Sequence, residues 1–193
     1  MKQDIILAGV GGQGILSIAT VIGSAALEQG LYLKQAEVHG MSQRGGDVQS
    51  HLRLSTEPIH SDIIPRGAAD LIVSLEPMEA LRYVPYLAPG GWIITNTVPF
   101  VNIPDYPPME SVMAELNRLP YVISIDVDAI AKEAGSPRGA NMVLLGATSA
   151  LLDIGGPEVF RNGIRRIFGR KGEEVVAANI KAFDAGFASA KQQ

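Results

Sequence analysis

Cysteine is absent from this 193-residue chain. Without a thiol, the chain alone cannot form a disulfide, a thiolate zinc site, a catalytic cysteine or the ligand set of an iron–sulfur cluster. Any cluster chemistry associated with it must sit on another polypeptide. Charge is scarce as well: 19% of residues are Asp, Glu, Lys or Arg, and the formal net charge is -4. A mild acidic balance argues against nucleic acid or an anionic membrane as partner. The start lacks a secretory layout, because one lysine precedes the apolar run and Asp4 interrupts it, so the expected location is cytoplasmic. No charged residue occurs from Ile5 to Leu27, but Gly9, Gly11, Gly12 and Gly14 punctuate the run and divide it into a strand and a helix. A membrane span is therefore not expected.

What is present is apolar material, 47% of the chain. That content with so few charges argues against disorder, and the length suits one domain over residues 1–193 with a sizeable core. No repeat, charge block or linker divides it.

Asp4–Ala8 is an apolar run that ends in glycine and reads as a buried strand. Gly12–Gln29 reads as a helix buried on more than one side, closed by Gly30, and Leu31–Val38 as a second strand. Strand, helix and strand in so short a span form a βαβ unit and imply a parallel sheet. His39–Gly46 is a polar loop. Asp47–Ser55 then alternates as a strand with one wetter face, and Pro58–Ser61 is expected to pair with it as a hairpin arm. The rhythm resumes with a strand at Ala69–Leu75, a helix at Pro77–Leu87 and a strand at Trp92–Thr97 after a Pro89-Gly90-Gly91 turn. A proline-rich excursion follows at Val98–Pro108, then a helix at Glu110–Leu119 and a strand at Tyr121–Val127. Helices are expected at Asp128–Ala134, Ala140–Asp153, Pro157–Ile167 and Glu173–Lys191. The fold expected is α/β and Rossmann-like: a mostly parallel sheet with helices on both faces, a short antiparallel insertion and a helical C-terminal layer.

The first turn, Gly9-Val10-Gly11-Gly12-Gln13-Gly14, contains Gly-x-Gly-x-x-Gly between a strand and a helix. Glycines there permit a tight turn and leave the backbone N–H groups and the helix N-terminus open to a phosphate. Glu37, near the end of the second strand, stands about where a ribose-binding acid belongs. Two other readings remain open: the glycines let strand and helix pack closely, or the loop binds an anion that is not a dinucleotide. Consecutive Gly11-Gly12 before Gln13 is unusual for a nicotinamide loop, and the Gln13 amide is a candidate to face a ligand or a neighbouring chain.

The run from Glu37 to Arg53 holds the densest set of functional side chains. Candidate residues for ligand binding or subunit docking are Glu37, His39, Ser42, Gln43, Arg44, Gly45 and Gly46, with Gly9, Gly11, Gly12, Gln13 and Gly14 beside them. Loops after strand C-termini form the ligand crevice of doubly wound sheets. Arg44 can fork onto a phosphate or carboxylate, and Arg53 can do so if its face points to the site. His39, His51 and His60 match no common metal-ligand spacing, so no metal is expected, and a buried, hydrogen-bonded role suits a histidine here. Ser42 lacks the Gly-x-Ser-x-Gly elbow of a hydrolase. No catalytic residue is assigned.

Gly9-Val10-Gly11-Gly12-Gln13-Gly14 and Glu37-Val38-His39-Gly40-Met41-Ser42-Gln43-Arg44-Gly45-Gly46, continued by Val48, Ser50, His51 and Arg53, resemble the gamma domain of 2-oxoacid:ferredoxin oxidoreductases. The stretches Ala69-Asp70-Leu71-Ile72, Glu76-Pro77-Met78-Glu79-Ala80 and Gly90-Gly91-Trp92-Ile93-Ile94-Thr95-Asn96-Thr97 extend the resemblance over nearly the whole chain, and the pattern is most similar to the small subunit of the indolepyruvate branch. The resemblance implies a complex that oxidatively decarboxylates a 2-oxoacid, indolepyruvate or another aryl pyruvate, to an acyl-CoA and CO2. It implies thiamine diphosphate, magnesium and iron–sulfur clusters on a large partner subunit, ferredoxin as acceptor through the complex, and coenzyme A as a ligand this chain shares or leaves to the partner. The Gly-Asp-Gly…Asn signature that holds the diphosphate through magnesium is missing, Gly46-Asp47-Val48 being only a fragment of it, so the chain alone should be inert. A freestanding NAD(P)- or flavin-dependent oxidoreductase and a non-catalytic nucleotide-binding assembly module are the alternatives. At the C-terminus, Glu173–Lys191 is expected to cover the sheet, and Arg165, Arg166, Arg170 and Lys171 form a small basic patch.

Overall fold

The computed structural model describes residues 1–40 and 45–191. Six strands form one sheet in the order β2-β3-β1-β4-β5-β6: β1 Lys2–Val10, β2 Tyr32–His39, β3 Asp47–Ser55, β4 Ala69–Ser74, β5 Leu87–Asn96 and β6 Val122–Ile125. β1, β4, β5 and β6 pair in parallel, whereas β3 runs antiparallel to both β1 and β2. The helices are α1 Ile15–Glu28, α2 Pro77–Arg82, α3 Met109–Asn117, α4 Val127–Glu133, α5 Ala140–Ser149, α6 Pro157–Phe168 and α7 Glu173–Ala190.

The period-two alternation of β1 sorts the core. Ile5 and Leu7 join Leu52, Leu54, Leu71, Val73 and Ile94 under α1 and α5. α4, α6 and α7 pack on those two helices, so α7, expected to cover the sheet, instead forms an outer layer over α5. Ile6 and Ala8 join Ile72 and Ile93 under α2 and α3 on the opposite face. A strand buried on both faces carries apolar residues at every position, which is why β1 reads as a continuous run.

α5 lies deep, with Met142 to Ser149 all buried. It crosses α7 at a pair of glycines. A Cβ on Gly146 would stand 2.0 Å from the Phe183 carbonyl oxygen, and one on Gly186 would stand 1.9 Å from that of Val143. Only glycine allows two helix backbones to approach this closely.

Several expectations are corrected. β1 and β2 are not neighbours, because β3 is inserted between them; the antiparallel insertion is a nine-residue strand. Residues 58–61 form no strand. The adjoining Ser61 and Ile63 carbonyls instead accept hydrogen bonds from Arg53 at 3.1 and 3.2 Å. α2 stops at Arg82, and a 3-10 turn over Val84–Tyr86 follows. Pro85 has no N–H with which to continue the helix. Pro89-Gly90-Gly91 lies within β5 as a register shift against β4 and not as a turn before it. Gly90 takes φ 82°, and a Cβ at Gly91 would meet the Ala69 carbonyl oxygen at 2.9 Å.

Candidate functional site

The C-terminal ends of β1, β4 and β5 gather the polar residues. The strand order reverses between β1 and β4, since α1 leads leftward to β2 while α2 leads rightward to β5. A crevice at that position is where open α/β sheets bind ligands.

Here the glycine loop is closed by its own neighbours. Val10 opposes Asp47 in the antiparallel register, which lays Gly45-Gly46 directly on the loop. Gly11 N–H donates to the Gly46 carbonyl at 2.8 Å, and Gly45 N–H returns to the Gly11 carbonyl at 3.3 Å. Gln13 N–H donates to the Val10 carbonyl at 3.1 Å. The Gln13 side chain accepts from Val10 N–H through Oε1 at 2.7 Å and donates from Nε2 to the Leu75 carbonyl at 3.1 Å. A Cβ on Gly9 would sit 2.9 Å from that Oε1. Gly14 begins α1 with φ 88°, and Asn141 Nδ2 stands 2.6 Å from where its Cβ would be. The backbone donors of Val10, Gly11 and Gln13 therefore serve bonds within the fold.

Glu37 does not occupy a ribose-binding position. It opposes Ser50, which in turn opposes Leu7, so it stands two strand spacings, about 10 Å, from β1. His39 ends β2 opposite Val48. Gly45 and Gly46 are brought to the glycine loop. Met41, Ser42, Gln43 and Arg44 lie outside the described residues. Arg53 is at the other end of the sheet, where its guanidinium forks onto the fully buried Asp4 at 2.7 and 3.0 Å. His51 is buried, and its Nδ1 accepts from Ile64 N–H at 3.1 Å. Burial lowers its pKa, and Arg53 lowers it further. His60 is exposed on the same side as Arg53 and lines a shallow hollow with Lys2 and Asp4.

A second polar cluster was not foreseen. Glu76 and Glu79 are 1% and 2% exposed. Glu76 caps α2 by accepting Glu79 N–H at 2.8 Å, and its other oxygen accepts from the Tyr106 hydroxyl and from Phe100 N–H. Glu79 takes a two-pronged bond from Arg82 at 2.7 and 3.1 Å. Burial raises its carboxyl; Arg82 opposes the rise and the nearby Asp47 adds to it. Asp47 accepts the Tyr83 hydroxyl on both oxygens, at 3.1 and 2.9 Å. Burial and these carboxylate bonds push the Tyr83 and Tyr106 hydroxyls upward, so both stay protonated donors. The only available sequence signal was two acids set in the apolar stretch Leu75-Glu76-Pro77-Met78-Glu79-Ala80.

Across the crevice, Asn96 is buried at the end of β5. Its Nδ2 donates to the Val98 carbonyl at 3.2 Å and to Asp128 at 3.1 Å, and its Oδ1 accepts from Val98 and Val127 N–H, each at 3.2 Å. A cleft of about 350 Å³ opens here, lined by Gln13, Asn96, Phe100 and Asp128 among others. Its amides are engaged in bonds within the fold. A magnesium–diphosphate anchor needs available carboxylates. Asp47, Glu76 and Glu79 are engaged by Tyr83, Tyr106 and Arg82, and no grouping able to hold a metal occurs among the described residues. Nor is any described helix long and apolar enough to cross a membrane. The residues present do not fit the thiamine anchor, and a chain with no cysteine cannot ligate a cluster alone.

The chain is 36% identical over 202 residues to an indolepyruvate oxidoreductase subunit IorB from Pyrococcus horikoshii, covering 100% of this chain and 98% of that one. Its fold resembles the gamma subunit of a keto/oxoacid ferredoxin oxidoreductase from Geobacter sulfurreducens, with TM-score 0.71, 25% identity and 99% of both chains covered. It also resembles a 2-oxoglutarate:ferredoxin oxidoreductase from Magnetococcus marinus solved with 2-oxoglutarate, coenzyme A and succinyl-CoA, with TM-score 0.77 and 28% identity. That match covers 100% of this chain but 31% of the other, so this chain corresponds to about a third of the longer polypeptide. Residues 4–189 match the pyruvate ferredoxin/flavodoxin oxidoreductase family, and the chain belongs to that family.

Proposed function

We propose that this chain is the small, gamma-type subunit, one domain over residues 1–193, of a cytoplasmic complex that oxidatively decarboxylates indolepyruvate or another aryl pyruvate. Thiamine diphosphate, magnesium and the iron–sulfur clusters reside on a large partner subunit, and electrons leave through the complex to ferredoxin. The small subunit carries no reacting group of its own. It completes the assembly by presenting the C-terminal edge of its sheet.

The observation that carries this reading is the closed glycine loop. A freestanding dinucleotide enzyme needs the loop's N–H groups for pyrophosphate and an acid on the strand next to β1. Here Val10, Gly11 and Gln13 donate within the fold, and β3 takes the place next to β1. A loop stiffened in this way suits docking better than cradling a nucleotide. Coenzyme A contact with the same edge is a secondary reading, supported by the coenzyme A bound in the Magnetococcus relative.

The test is co-expression with the large subunit of the same organism, followed by size-exclusion chromatography and acceptor reduction with a panel of aryl and aliphatic 2-oxoacids. Co-elution with activity preferring aryl pyruvates is expected. Tight NADH or flavin binding by the isolated chain, without co-elution, would reverse the reading.

A further inference from the structure

At the N-terminal end of the sheet, opposite the glycine loop, β4 and β5 fall out of step. Ala69 faces Leu87 and Leu71 faces Trp92, so five steps along β5 answer two along β4. Pro89-Gly90-Gly91 takes up the surplus, with Gly90 at φ 82°. Irregularities of this kind redirect side chains and interrupt pairing. Beside this one lies a hollow of about 270 Å³, lined by Gln3, Asp70, Pro89, Gly90, Trp92 and Leu151 among others.

The hollow is rich in acceptors. Gln3 donates from Nε2 to the Leu151 carbonyl at 3.1 Å, which fixes the orientation of its amide. Its Oε1 is buried and has no hydrogen-bond partner among the described residues. A buried acceptor without a donor is destabilising, and such atoms are uncommon in folded proteins. Asp70 is exposed, so its carboxylate can accept further donors; Asp4 N–H already donates to its Oδ2 at 2.7 Å. Leu151 lies just past Ala150, the C-cap of α5, so the negative end of that helix dipole adjoins the hollow. Of the described residues that line it, Asp70 alone is charged. The half-buried Trp92 adds an indole, whose face attracts cations.

We infer that this hollow binds a small alkylammonium ion. An ammonium group carries three N–H donors and one positive charge. One donor satisfies Gln3 Oε1, Asp70 supplies the counter-charge, and the alkyl part lies against Trp92. A carboxylate or phosphate ligand would meet acceptors and like charge there. The volume is just below the usual range of small-molecule pockets, which confines the ligand to a few heavy atoms. The inference does not depend on the subunit reading, because it uses the opposite end of the sheet.

Trp92 is the only tryptophan of the chain, so its fluorescence reports this hollow directly. The test titrates the purified full chain with n-butylammonium chloride. Sodium chloride and sodium butyrate at matched concentrations control for ionic strength and for the alkyl chain. A saturable change with butylammonium alone is the expected result. Asp70→Asn keeps an oxygen for Asp4 N–H and removes the charge. Gln3→Met removes the amide oxygen and keeps the length. Each should raise the titration midpoint at least about tenfold, the loss expected for a hydrogen bond to a charged group. A cooperative melting transition establishes that a variant folds, and either variant alone suffices for the comparison. No saturable change in the parent, an equal change with sodium butyrate or sodium chloride, or a parent-like midpoint in either folded variant overturns the assignment.

Discussion

The Gln13 side chain reaches from the start of its own loop to the Leu75 carbonyl at the end of β4, tying the glycine turn to the neighbouring strand. Its amide oxygen lies 2.9 Å from where a Cβ on Gly9 would stand, so glycine at position 9 and glutamine at position 13 serve one arrangement.

Replacing Gln13 with alanine leaves Val10 N–H and the Leu75 carbonyl without these partners. A part-buried donor left unpaired costs about 1–3 kcal/mol. Chemical denaturation should show a loss in that range, together with faster amide exchange over residues 10–14 and weaker assembly.

The α5–α7 crossing predicts a comparable penalty from a smaller change. Gly146→Ala or Gly186→Ala would drive a methyl group into an opposing carbonyl, and overpacking costs about 1–3 kcal/mol, sometimes more. Alanine normally favours a helix by about 1 kcal/mol over glycine, so a fall in thermal midpoint would isolate the packing term.

Tyr106→Phe removes the hydroxyl donor to Glu76 and keeps the ring. A hydrogen bond to a charged group contributes about 1.5–3 kcal/mol. Exchange should speed up across residues 98–106, while the sheet strands keep their protection.

His51 and Glu79 predict opposite pH slopes. His51 is held below its ordinary 6.5 by burial and Arg53, so the unfolded chain binds its proton more tightly. Stability from this group is present above pH 6.5 and falls as pH drops toward the lowered folded value. Glu79 is raised above its ordinary 4.5, chiefly by burial, so its contribution is present below pH 4.5 and is lost as pH rises through the raised folded value. Melting curves of His51→Gln should be flatter than the parent below about pH 6.5. Those of Glu79→Gln should be flatter above about pH 4.5.

Much of the sheet is legible from local pattern. The charge-free run of β1 and the alternation of β3 depend on burial face, which sequence records directly. Insertion of β3 between β1 and β2 is a non-local pairing, and nothing within either segment encodes it. Pro89-Gly90-Gly91 resembles a turn because its justification, the crowding of Gly91 by Ala69, lies on another strand. The site divides in the same way. Gly9 to Gly14 and Gly45-Gly46 are recognisable because glycine spacing is local. Glu76, Tyr106, Asp47 and Tyr83 escape notice because their hydrogen bonds span 30 to 36 positions.

The most direct measurement titrates the purified chain into the purified large subunit and follows indolepyruvate-dependent reduction of ferredoxin. The account predicts no turnover by the small chain alone and a rate that rises with its addition until it saturates. A large subunit already at full rate without this chain, or turnover by this chain in isolation, would contradict it.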